Sequence, residues 1–190
     1  MTSFPPLYIL RHGETEWNAT GRLQGSFDSE LTARGRAQAL AQQQILADIT
    51  LHGFQALCSP QLRARETAEI ALVGHGLELS QDVALREIGL GDFAGKDRES
   101  LVAQTGARDG FDLYALAPGG EGFDALEQRC CAFLAGLKGP AVLVTHGITS
   151  RMLRLIATGQ PVTELREIGG GQGVVFQVQD GVQKRLSLRA

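Results

Sequence analysis

Residues 7–18 read L-Y-I-L-R-H-G-E-T-E-W-N, a short apolar run that stops at an arginine, a histidine and a glycine. The run 7–10 predicts a buried strand with Arg11, His12 and Gly13 at its carboxyl end. Ligands bind at that edge of an open α/β sheet. A glycine there removes the Cβ that would keep backbone N–H groups away from an anion. The tripeptide alone fits two interpretations equally well: a phosphate site with a reacting imidazole, and an ordinary strand end.

The size and composition of the chain are those of one globular domain, predicted to span residues 1–190. The 18 basic and 21 acidic side chains give a formal net charge of −3. No broad basic field favours nucleic acid as a partner. Any anion site must therefore be a local group of arginines.

Cysteine usage and the N-terminus indicate where the protein is found. Cys58, Cys130 and Cys131 form no C-x-x-C pair, which favours a reducing compartment. The N-terminal apolar stretch is too short for a signal peptide. No apolar run approaches the roughly 20 residues that a membrane helix needs. We therefore expect a cytoplasmic protein with no membrane partner.

Strand and helix patterns alternate along the chain. Strands are predicted at 7–10, 55–58, 77–79, 141–144, 174–178 and 185–188, with a turn at Asp180-Gly181 before the last. Helices are predicted from a Thr32 cap to 47, from a Ser59 cap and Pro60 to 72, from about 124 to 137, and over 149–158. Residues 91–122 are rich in glycine and charge, with one short helix after Arg98. Repeated β-then-α order predicts an α/β fold with a mostly parallel sheet between helix layers.

A second segment, C-S-P-Q-L-R-A-R-E-T-A at 58–68, repeats the pattern of a strand end followed by a helix start. The helix N-terminus offers free N–H groups and a partial positive charge. Arg63 lies one turn into this helix, from where it can reach back over the edge. Arg65 is about 200° further round the helix and should face elsewhere.

A third segment, V-L-V-T-H-G at 142–147, ends a buried strand with His146, and Gly147 opens the next helix. If the strands are parallel, this second His-Gly lies at the same sheet edge as the first. A fourth segment, L-R-E-I-G-L-G-D-F-A-G at 85–95, carries Glu87. Alone, Glu87 is most simply the partner of Arg86 in a surface ion pair. Beside the other segments it is the acid best placed to donate a proton.

These residues form a complete set for phosphoryl transfer. A neutral imidazole can attack phosphorus in line, and Arg11 and Arg63 would lower the pKa of His12 and favour that form. A backbone carbonyl in the glycine turn can fix its tautomer. Glu87 can protonate the departing alkoxide and later deprotonate water. His146 would offset charge on the transferring phosphoryl group.

The ordered set of segments resembles the histidine phosphatase superfamily, also called the phosphoglycerate mutase-like family. The resemblance rests on R-H-G-E-T-E-W-N, G-R-L-Q-G-S-F-D-S-E-L-T-A-R-G, S-P-Q-L-R-A-R-E-T-A, L-R-E-I-G-L-G-D-F-A-G and V-T-H-G. It implies that His12 becomes phosphorylated and that Glu87 is the proton donor. It also implies that Arg11, Arg63 and His146 complete the phosphate pocket.

The same resemblance extends to substrate contacts and fold. Asn18, Gln24 and Gly25 match positions that contact the phosphate or substrate, and we add Gly147 to these expected binding residues. The family needs no metal, and we expect no cofactor. Its fold is a three-layer α/β/α sandwich around a mainly parallel sheet.

The sequence leans to a small phosphatase acting on a phosphorylated metabolite, of the broad-specificity or α-ribazole-phosphatase kind. Cofactor-dependent phosphoglycerate mutases, the alternative, are longer and carry E-R-x-Y-G where residues 87–91 read E-I-G-L-G. We expect residues 92–122 to cover the site and set specificity. The roles of Lys96, Arg98 and Arg108 within this segment stay open, as does the oligomeric state.

Two further classes compete with catalysis by phosphohistidine. A non-catalytic phosphate-binding regulator would have lost the nucleophile or the acid, and this chain keeps both. A metal-dependent hydrolase would use His12, Glu14 and His146 as ligands. Neighbouring arginines would repel its metal, and the chain has no H-x-x-H or H-x-x-x-H pair.

Overall fold

The computed structural model describes residues 4–188, and six strands form one sheet within them. They are β1 (Leu7–Arg11), β2 (Gln55–Cys58), β3 (Leu79–Gln81), β4 (Ala141–Thr145), β5 (Val175–Gln179) and β6 (Val182–Leu186). Their order across the sheet is β3-β2-β4-β1-β5-β6. The first four of these are mutually parallel, β5 is antiparallel to β1, and β6 is antiparallel to β5. The predicted α/β fold with a mainly parallel sheet is confirmed.

Helices cover both faces of this sheet. They are α1 (Glu16–Ala19), α2 (Ala33–Ala47), α3 (Leu62–Ala71), α4 (Arg98–Thr105), α5 (Asp112–Leu116), α6 (Gly122–Gly136) and α7 (Gly147–Ala157), with 3₁₀ turns at Val83–Leu85, Gly91–Phe93 and Val162–Glu164.

Alternate residues of the central strands bury against different helices, as the period of a strand requires. Leu7 and Ile9 of β1 pack in one apolar cluster with α6 and α7. Tyr8 and Leu10 pack in another, with residues of α2 and α3. The molecule is therefore a three-layer α/β/α sandwich.

The pairing of β1 with β4 decides where the site forms. The two strands run parallel with Arg11 opposite Thr145, so their carboxyl ends meet. The N–H of His12 donates to the carbonyl of Thr145 at 2.9 Å, which continues the pairing by one residue. His12 and His146 therefore leave the sheet side by side.

Several element boundaries differ from the sequence predictions. The cap predicted at Ser59 is wrong: Gln61 precedes α3, which begins at Leu62. The last strand is Val182–Leu186 because Asp180 and Gly181, both with positive φ, form the predicted turn immediately before it. Helix α7 begins at Gly147, as the His146-Gly147 pair predicted, and ends at Ala157, one residue before the predicted end.

The segment predicted to cover the site contains two helices, α4 and α5, where one was predicted. Its apolar residues Phe93, Leu101 and Leu113 form a small cluster with Leu23 and Leu90, apart from the main core. The five-residue α5 is too short to show a helical period in the sequence. Within residues 4–188, no helix is both long and apolar enough to cross a membrane.

Candidate active site

Two buried histidines lie at the carboxyl ends of β1 and β4. His12 is 3% exposed and His146 is 0% exposed. Their ring centroids are 5.1 Å apart, with the planes tilted by 60°. The two histidines therefore lie together at one edge of the sheet, as the two His-Gly pairs predicted.

The imidazole of His12 is held in one tautomer. Its Nδ1 is 2.7 Å from the carbonyl oxygen of Gly13. A carbonyl can only accept, so Nδ1 carries the proton and Nε2 keeps its lone pair. Burial, with a further contribution from Arg63 and Arg11, holds the pKa of His12 well below its ordinary value. The ring is neutral at pH 7 and has a free nitrogen lone pair.

Gly13 is required by packing. Its N–H donates to the hydroxyl of Thr67 at 3.0 Å, so it is already satisfied by the protein. A Cβ on Gly13 would clash with the backbone carbonyl of Gly35 in α2, and a Cβ on Gly35 would clash with the carbonyl of Glu14. The expectation that this glycine frees a backbone N–H for an anion is wrong for the N–H of Gly13. Its small size instead lets α2 approach the loop after β1.

Arg63 points from the first turn of α3 back over the sheet edge and is 1% exposed. Its Nη1 donates to the carbonyl of Phe27 at 2.8 Å, and its Nη2 donates to the carbonyl of Gly25 at 3.1 Å. Asp28 is 3.3 Å from Nη1. These contacts hold the guanidinium beside His12, and burial lowers its pKa from the ordinary value. Arg65 instead pairs with Glu69 on the exposed side of the helix, as predicted.

The start of α3 is less open to an anion than the sequence suggests. The N–H of Leu62 donates to Asp28 at 3.0 Å, and that of Gln61 donates to Ser59 at 3.3 Å. The predicted set of free N–H groups is wrong for these two residues. The cationic side chain of Arg63, one residue further, is what this helix brings to the cleft.

The carboxylate of Glu87 accepts hydrogen bonds from the first turn of α7. Its Oε1 accepts from the N–H of Thr149 at 3.0 Å and from the hydroxyl of Thr149 at 3.1 Å, and its Oε2 accepts from the N–H of Ile148 at 3.2 Å. A helix N-terminus favours a carboxyl group at this point. Arg86 pairs with Glu121, so the simple alternative of an Arg86–Glu87 surface pair is wrong.

The three residues expected to contact substrate from the loop after β1 are ordered by hydrogen bonds. Asn18 and Thr15 cap α1 reciprocally. Gln24 donates to the Thr15 hydroxyl at 2.6 Å. Gly25 has a φ of +54°, and its carbonyl accepts from Gln61 at 2.8 Å as well as from Arg63. All three residues line the cleft in front of His12.

His146 is fully buried next to His12. Its Nε2 is 2.8 Å from the hydroxyl of the fully buried Ser59, and its Nδ1 has no partner among residues 4–188. Burial is the main cause that holds its pKa well below the ordinary value, with Arg63 and His12 adding to it. Gly147 follows, and a Cβ there would lie 3.4 Å from the guanidinium carbon of Arg11.

The cleft has a volume of about 360 Å³. Seven of the predicted site residues line it: Arg11, His12, Asn18, Gln24, Gly25, Arg63 and Glu87. Five lining residues were not predicted as site residues: Arg22, Leu23, Leu90, Arg98 and Tyr114. Arg98 and Tyr114 come from the covering segment, where only charge and glycine content indicated a role.

Buried polar atoms without partners concentrate in this region. Among residues 4–188 they are the Nε atoms of Arg11 and Arg63, Nδ1 of His146, Oε1 of Gln24 and Oε1 of Gln42. Buried polar atoms are rarely left unpaired, so a cluster of them indicates a ligand site. Three of the five are nitrogens of predicted phosphate-pocket residues.

The ligand set considered for a metal is not assembled. No group of three or more His, Cys, Asp or Glu side chains within the described range 4–188 could hold a metal ion. Glu14 accepts from the hydroxyl of Thr32 at 3.0 Å and pairs with Arg34 at 3.5 Å. Its carboxylate is therefore engaged with α2.

Known proteins resemble this chain in sequence and in fold over most of its length. A Salmonella typhi protein named "Probable phosphoglycerate mutase GpmB" is 34% identical over an alignment of length 177 that covers 85% of this chain and 79% of that protein. The α-ribazole phosphatase of Shigella flexneri is 27% identical, with a TM-score of 0.78 over 97% of this chain and 95% of its own. A mycobacterial glucosyl-3-phosphoglycerate phosphatase, solved with VO3, is 30% identical, with a TM-score of 0.76 over 91% and 92%.

A family model matches residues 7–183, from the first residue of β1 into β6. The match includes every predicted site residue. The enzyme class predicted from the sequence, a histidine phosphatase, is confirmed. The chain belongs to the histidine phosphatase superfamily (branch 1).

Proposed function

We propose that this protein hydrolyses small phosphomonoesters through a phosphohistidine formed on Nε2 of His12. The observation that carries the proposal is the state of that imidazole, which is neutral, fixed in one tautomer and next to the buried Arg63 and the half-buried Arg11. A nucleophile for phosphorus needs a free lone pair, and the developing charge needs fixed cations.

The reaction has two steps. In the first, Nε2 of His12 forms a bond to phosphorus while the bond from phosphorus to the ester oxygen breaks, and the carboxyl of Glu87 gives that oxygen a proton. In the second, water attacks the phosphohistidine, Glu87 takes a proton from it, and the N–P bond breaks to release phosphate. One carboxyl group thus serves both steps.

The other residues bind the phosphoryl group. Arg11 and Arg63 hold its oxygens and offset the charge that spreads over them in the transition state. His146, next to His12, donates to the same group from its unpaired Nδ1. Asn18 and Gln24 complete the binding set from the loop after β1.

Two glycines assist the binding of the substrate. Gly25 and Gly147 let the substrate and the side chains of the cleft approach closely, since neither adds a Cβ to a crowded place. A Cβ on Gly25 would lie 3.1 Å from Cβ of Ala94, in the segment that covers the cleft. That segment, residues 92–122 of the single domain, sets which ester enters.

Hydrolysis is favoured over mutase chemistry by the solved phosphatases that align with nearly the whole chain. The name of the Salmonella relative keeps phosphoglycerate mutase chemistry as the second candidate. We place the enzyme in the cytoplasm, which suits its free cysteines, two of them buried and Cys131 exposed. Its partner is a small-molecule substrate.

Release of phosphate from an aryl phosphate, with a chelator present, tests the proposal. We expect turnover by the wild type and by His52→Ala, which removes an exposed histidine far from the cleft. His12→Ala should abolish turnover while the far-ultraviolet circular dichroism stays unchanged. Full activity of His12→Ala, or loss of activity with chelator, would contradict the proposal.

The second candidate is tested with 3-phosphoglycerate and a catalytic amount of bisphosphoglycerate. A phosphatase releases inorganic phosphate, whereas a mutase forms 2-phosphoglycerate. We expect phosphate release without isomerisation. Rapid isomerisation would assign the second candidate instead.

A further inference from the structure

An ion pair that no step of the proposed reaction uses joins Glu121, at the end of the covering segment, to Arg129 in α6. Nε of Arg129 donates to Oε1 of Glu121 at 2.7 Å, and Nη2 donates to Oε2 at 2.8 Å. Both side chains are only 11% exposed. Two parallel hydrogen bonds between a guanidinium and a carboxylate fix both groups in orientation as well as in distance. Neither residue lines the cleft in front of His12, so the pair does not contact a phosphoryl group bound there.

The arginine of this pair also binds the backbone that precedes Glu87. Its Nη1 donates to the carbonyl of Ala84 at 2.5 Å and to the carbonyl of Arg86 at 3.1 Å. We call residues 84–89 the acid loop, because they carry the proposed proton donor. Arg129 thus holds the acid loop up to the residue immediately before Glu87.

The carboxylate of the pair binds the acid loop on the other side of Glu87. Oε2 of Glu121 accepts from the N–H of Gly89 at 3.0 Å, and the N–H of Glu121 donates to the carbonyl of Gly89 at 2.9 Å. The approach is close, since a Cβ on Gly89 would lie 3.3 Å from Cβ of Glu121. The backbone on both sides of Glu87 is therefore tied to one ion pair.

Two other elements hold the same backbone. The hydroxyl of Thr149 in α7 donates to the carbonyl of Arg86 at 2.8 Å, and the side chain of Gln61 accepts from the N–H of Glu87 at 3.0 Å. The carbonyl of Arg86 therefore accepts from both Thr149 and Arg129. The ion pair adds a charged support from α6 to the neutral supports from Thr149 and Gln61.

Both members of the pair are charged at pH 7. Burial by itself would disfavour both charges, but the hydrogen bonds between the two side chains outweigh it. The pKa of Glu121 lies below its ordinary value and that of Arg129 above it. Loss of either member leaves the other as a largely buried, unpaired charge next to the acid loop, which makes the loop shift.

A second ion pair of the same shape provides a comparison. Nε and Nη2 of Arg108 donate to the two carboxylate oxygens of Asp112 at 2.9 and 3.0 Å. The side chain of Arg108 is 78% exposed, and its hydrogen bonds within residues 4–188 stay inside the covering segment. The two pairs share their geometry and differ in their contact with the acid loop.

We propose that Glu121 and Arg129 are positioning residues whose ion pair sets the place of the Glu87 carboxyl against the ester oxygen. The proton passes from that carboxyl to the ester oxygen as the bond from phosphorus to oxygen breaks. Transfer of this kind depends on the position of the donor to within a fraction of an ångström. The inference rests on the proposed function, in which Glu87 is the proton donor.

The dependence of the rate on the leaving group tests this role. 4-Nitrophenyl and 4-methoxyphenyl phosphate have similar shapes, but the more basic 4-methoxyphenolate needs a proton to depart and 4-nitrophenolate does not. The leaving-group ratio is defined as kcat/KM for the nitrophenyl ester divided by kcat/KM for the methoxyphenyl ester. Loss of folded enzyme lowers both values equally and does not change the ratio, so a merely structural role leaves it at the wild-type value.

We expect Glu87→Gln to raise the leaving-group ratio by about tenfold or more, and Arg129→Met and Glu121→Gln to raise it by about threefold or more. Arg129→Lys, which keeps the charge and loses the planar fork, should give a smaller rise than Arg129→Met. Arg108→Met, which breaks the pair of the same shape, should keep the wild-type ratio. Combined with Glu87→Gln, Arg129→Met should add no further rise, because it acts through Glu87.

Three outcomes contradict parts of this account. Wild-type ratios in Arg129→Met and Glu121→Gln, beside a raised ratio in Glu87→Gln, would refute the positioning role and leave the proposed function standing. A rise in Arg129→Met that persists on top of Glu87→Gln would also refute it. A wild-type ratio in Glu87→Gln would overturn the proton donor of the proposed function and this inference with it. If Arg129→Met does not fold, the ratio in Arg129→Lys decides in the same way.

Discussion

The pairs His12-Gly13 and His146-Gly147 have the same sequence and follow adjacent parallel strands, yet they are built differently. His12 lines the cleft, and its Nδ1 donates to a backbone carbonyl. His146 is fully buried next to it and contacts the side chain of Ser59. The imidazole with the backbone partner has its tautomer fixed by a group that no substitution removes.

The glycines differ in the same way. Gly13 faces the backbone of α2, where any Cβ clashes with a carbonyl that cannot rotate away. Gly147 faces the ends of Arg11 and Glu87, at 3.4 and 3.5 Å from the position of its Cβ. The first glycine therefore serves the packing of the fold, and the second serves the arrangement of side chains at the cleft.

The largest difference should appear when each imidazole is replaced. We expect His12→Gln to lower kcat for an aryl phosphate by at least about 10⁴-fold, because the nucleophile is lost. His146→Gln should lower it by roughly 10²–10³-fold, the size of one lost donor to transition-state charge. Steady-state kinetics checks both. Equal losses in the two variants would remove the distinction between nucleophile and supporting donor.

The two glycines should separate in stability. We expect Gly13→Ala to lower the free energy of unfolding by about 2–4 kcal/mol, because the backbone of α2 must move. Gly147→Ala should lower it by less than about 1 kcal/mol, since only side-chain ends shift. Urea denaturation measures both. Two variants of equal stability would show that the contact with Gly35 does not constrain the loop.

Ser59→Ala tests the side-chain partner that only His146 has. The change leaves Nε2 of a buried imidazole unpaired, and we expect it to lower the free energy of unfolding by about 1–3 kcal/mol. Activity should fall because the orientation of the His146 ring is no longer held by this hydrogen bond. Ser59→Thr retains the hydroxyl and serves as the control. A fully active and stable Ser59→Ala variant would show that the hydrogen bond between Ser59 and His146 supports neither stability nor activity.

Acid should weaken the fold through both histidines. Each pKa is lowered in the folded protein, so the unfolded chain binds more protons once the pH falls below its own value of about 6.5. Stability therefore declines from about pH 6.5 towards the folded pKa, by up to about 1.4 kcal/mol per pH unit for each histidine. Above pH 6.5 both states are neutral and this dependence vanishes.

Urea denaturation of wild type, His12→Gln and His146→Gln between pH 5 and 8 checks this. Each variant should show a slope below pH 6.5 that is shallower by up to about 1.4 kcal/mol per pH unit. A wild-type slope retained in both variants would show that neither imidazole is buried in the neutral form.

The sequence was enough to predict the sheet, its helix layers and the meeting of the two histidines, because these follow from local patterns and parallel strand order. It misplaced the start of α3 for a physical reason. Ser59 has the residue type of a helix cap, but pairing of β2 with β4 brings its hydroxyl to His146. A contact between positions 59 and 146 leaves no local trace in the sequence.

The residues that line the cleft also include some that the sequence could not predict. Arg98 and Tyr114 reach the cleft because α4 and α5 pack in a small apolar cluster together with Leu23, Leu90 and Phe93. Their position depends on the path of the covering segment, which glycines and charges alone do not define. Gly13 was recognised as necessary, but the reason lies in Gly35, 22 positions further along the chain.

Trapping the phosphoenzyme tests the central claim most directly. The enzyme is mixed with a ³²P-labelled aryl phosphate and quenched, and the adduct is then treated with acid or alkali and mapped by mass spectrometry. The mechanism predicts one phosphoryl group on His12, stable in alkali and labile in acid, and none on His146 or in His12→Ala. An acid-stable adduct, or label on His146, would contradict the assignment of His12 as the nucleophile.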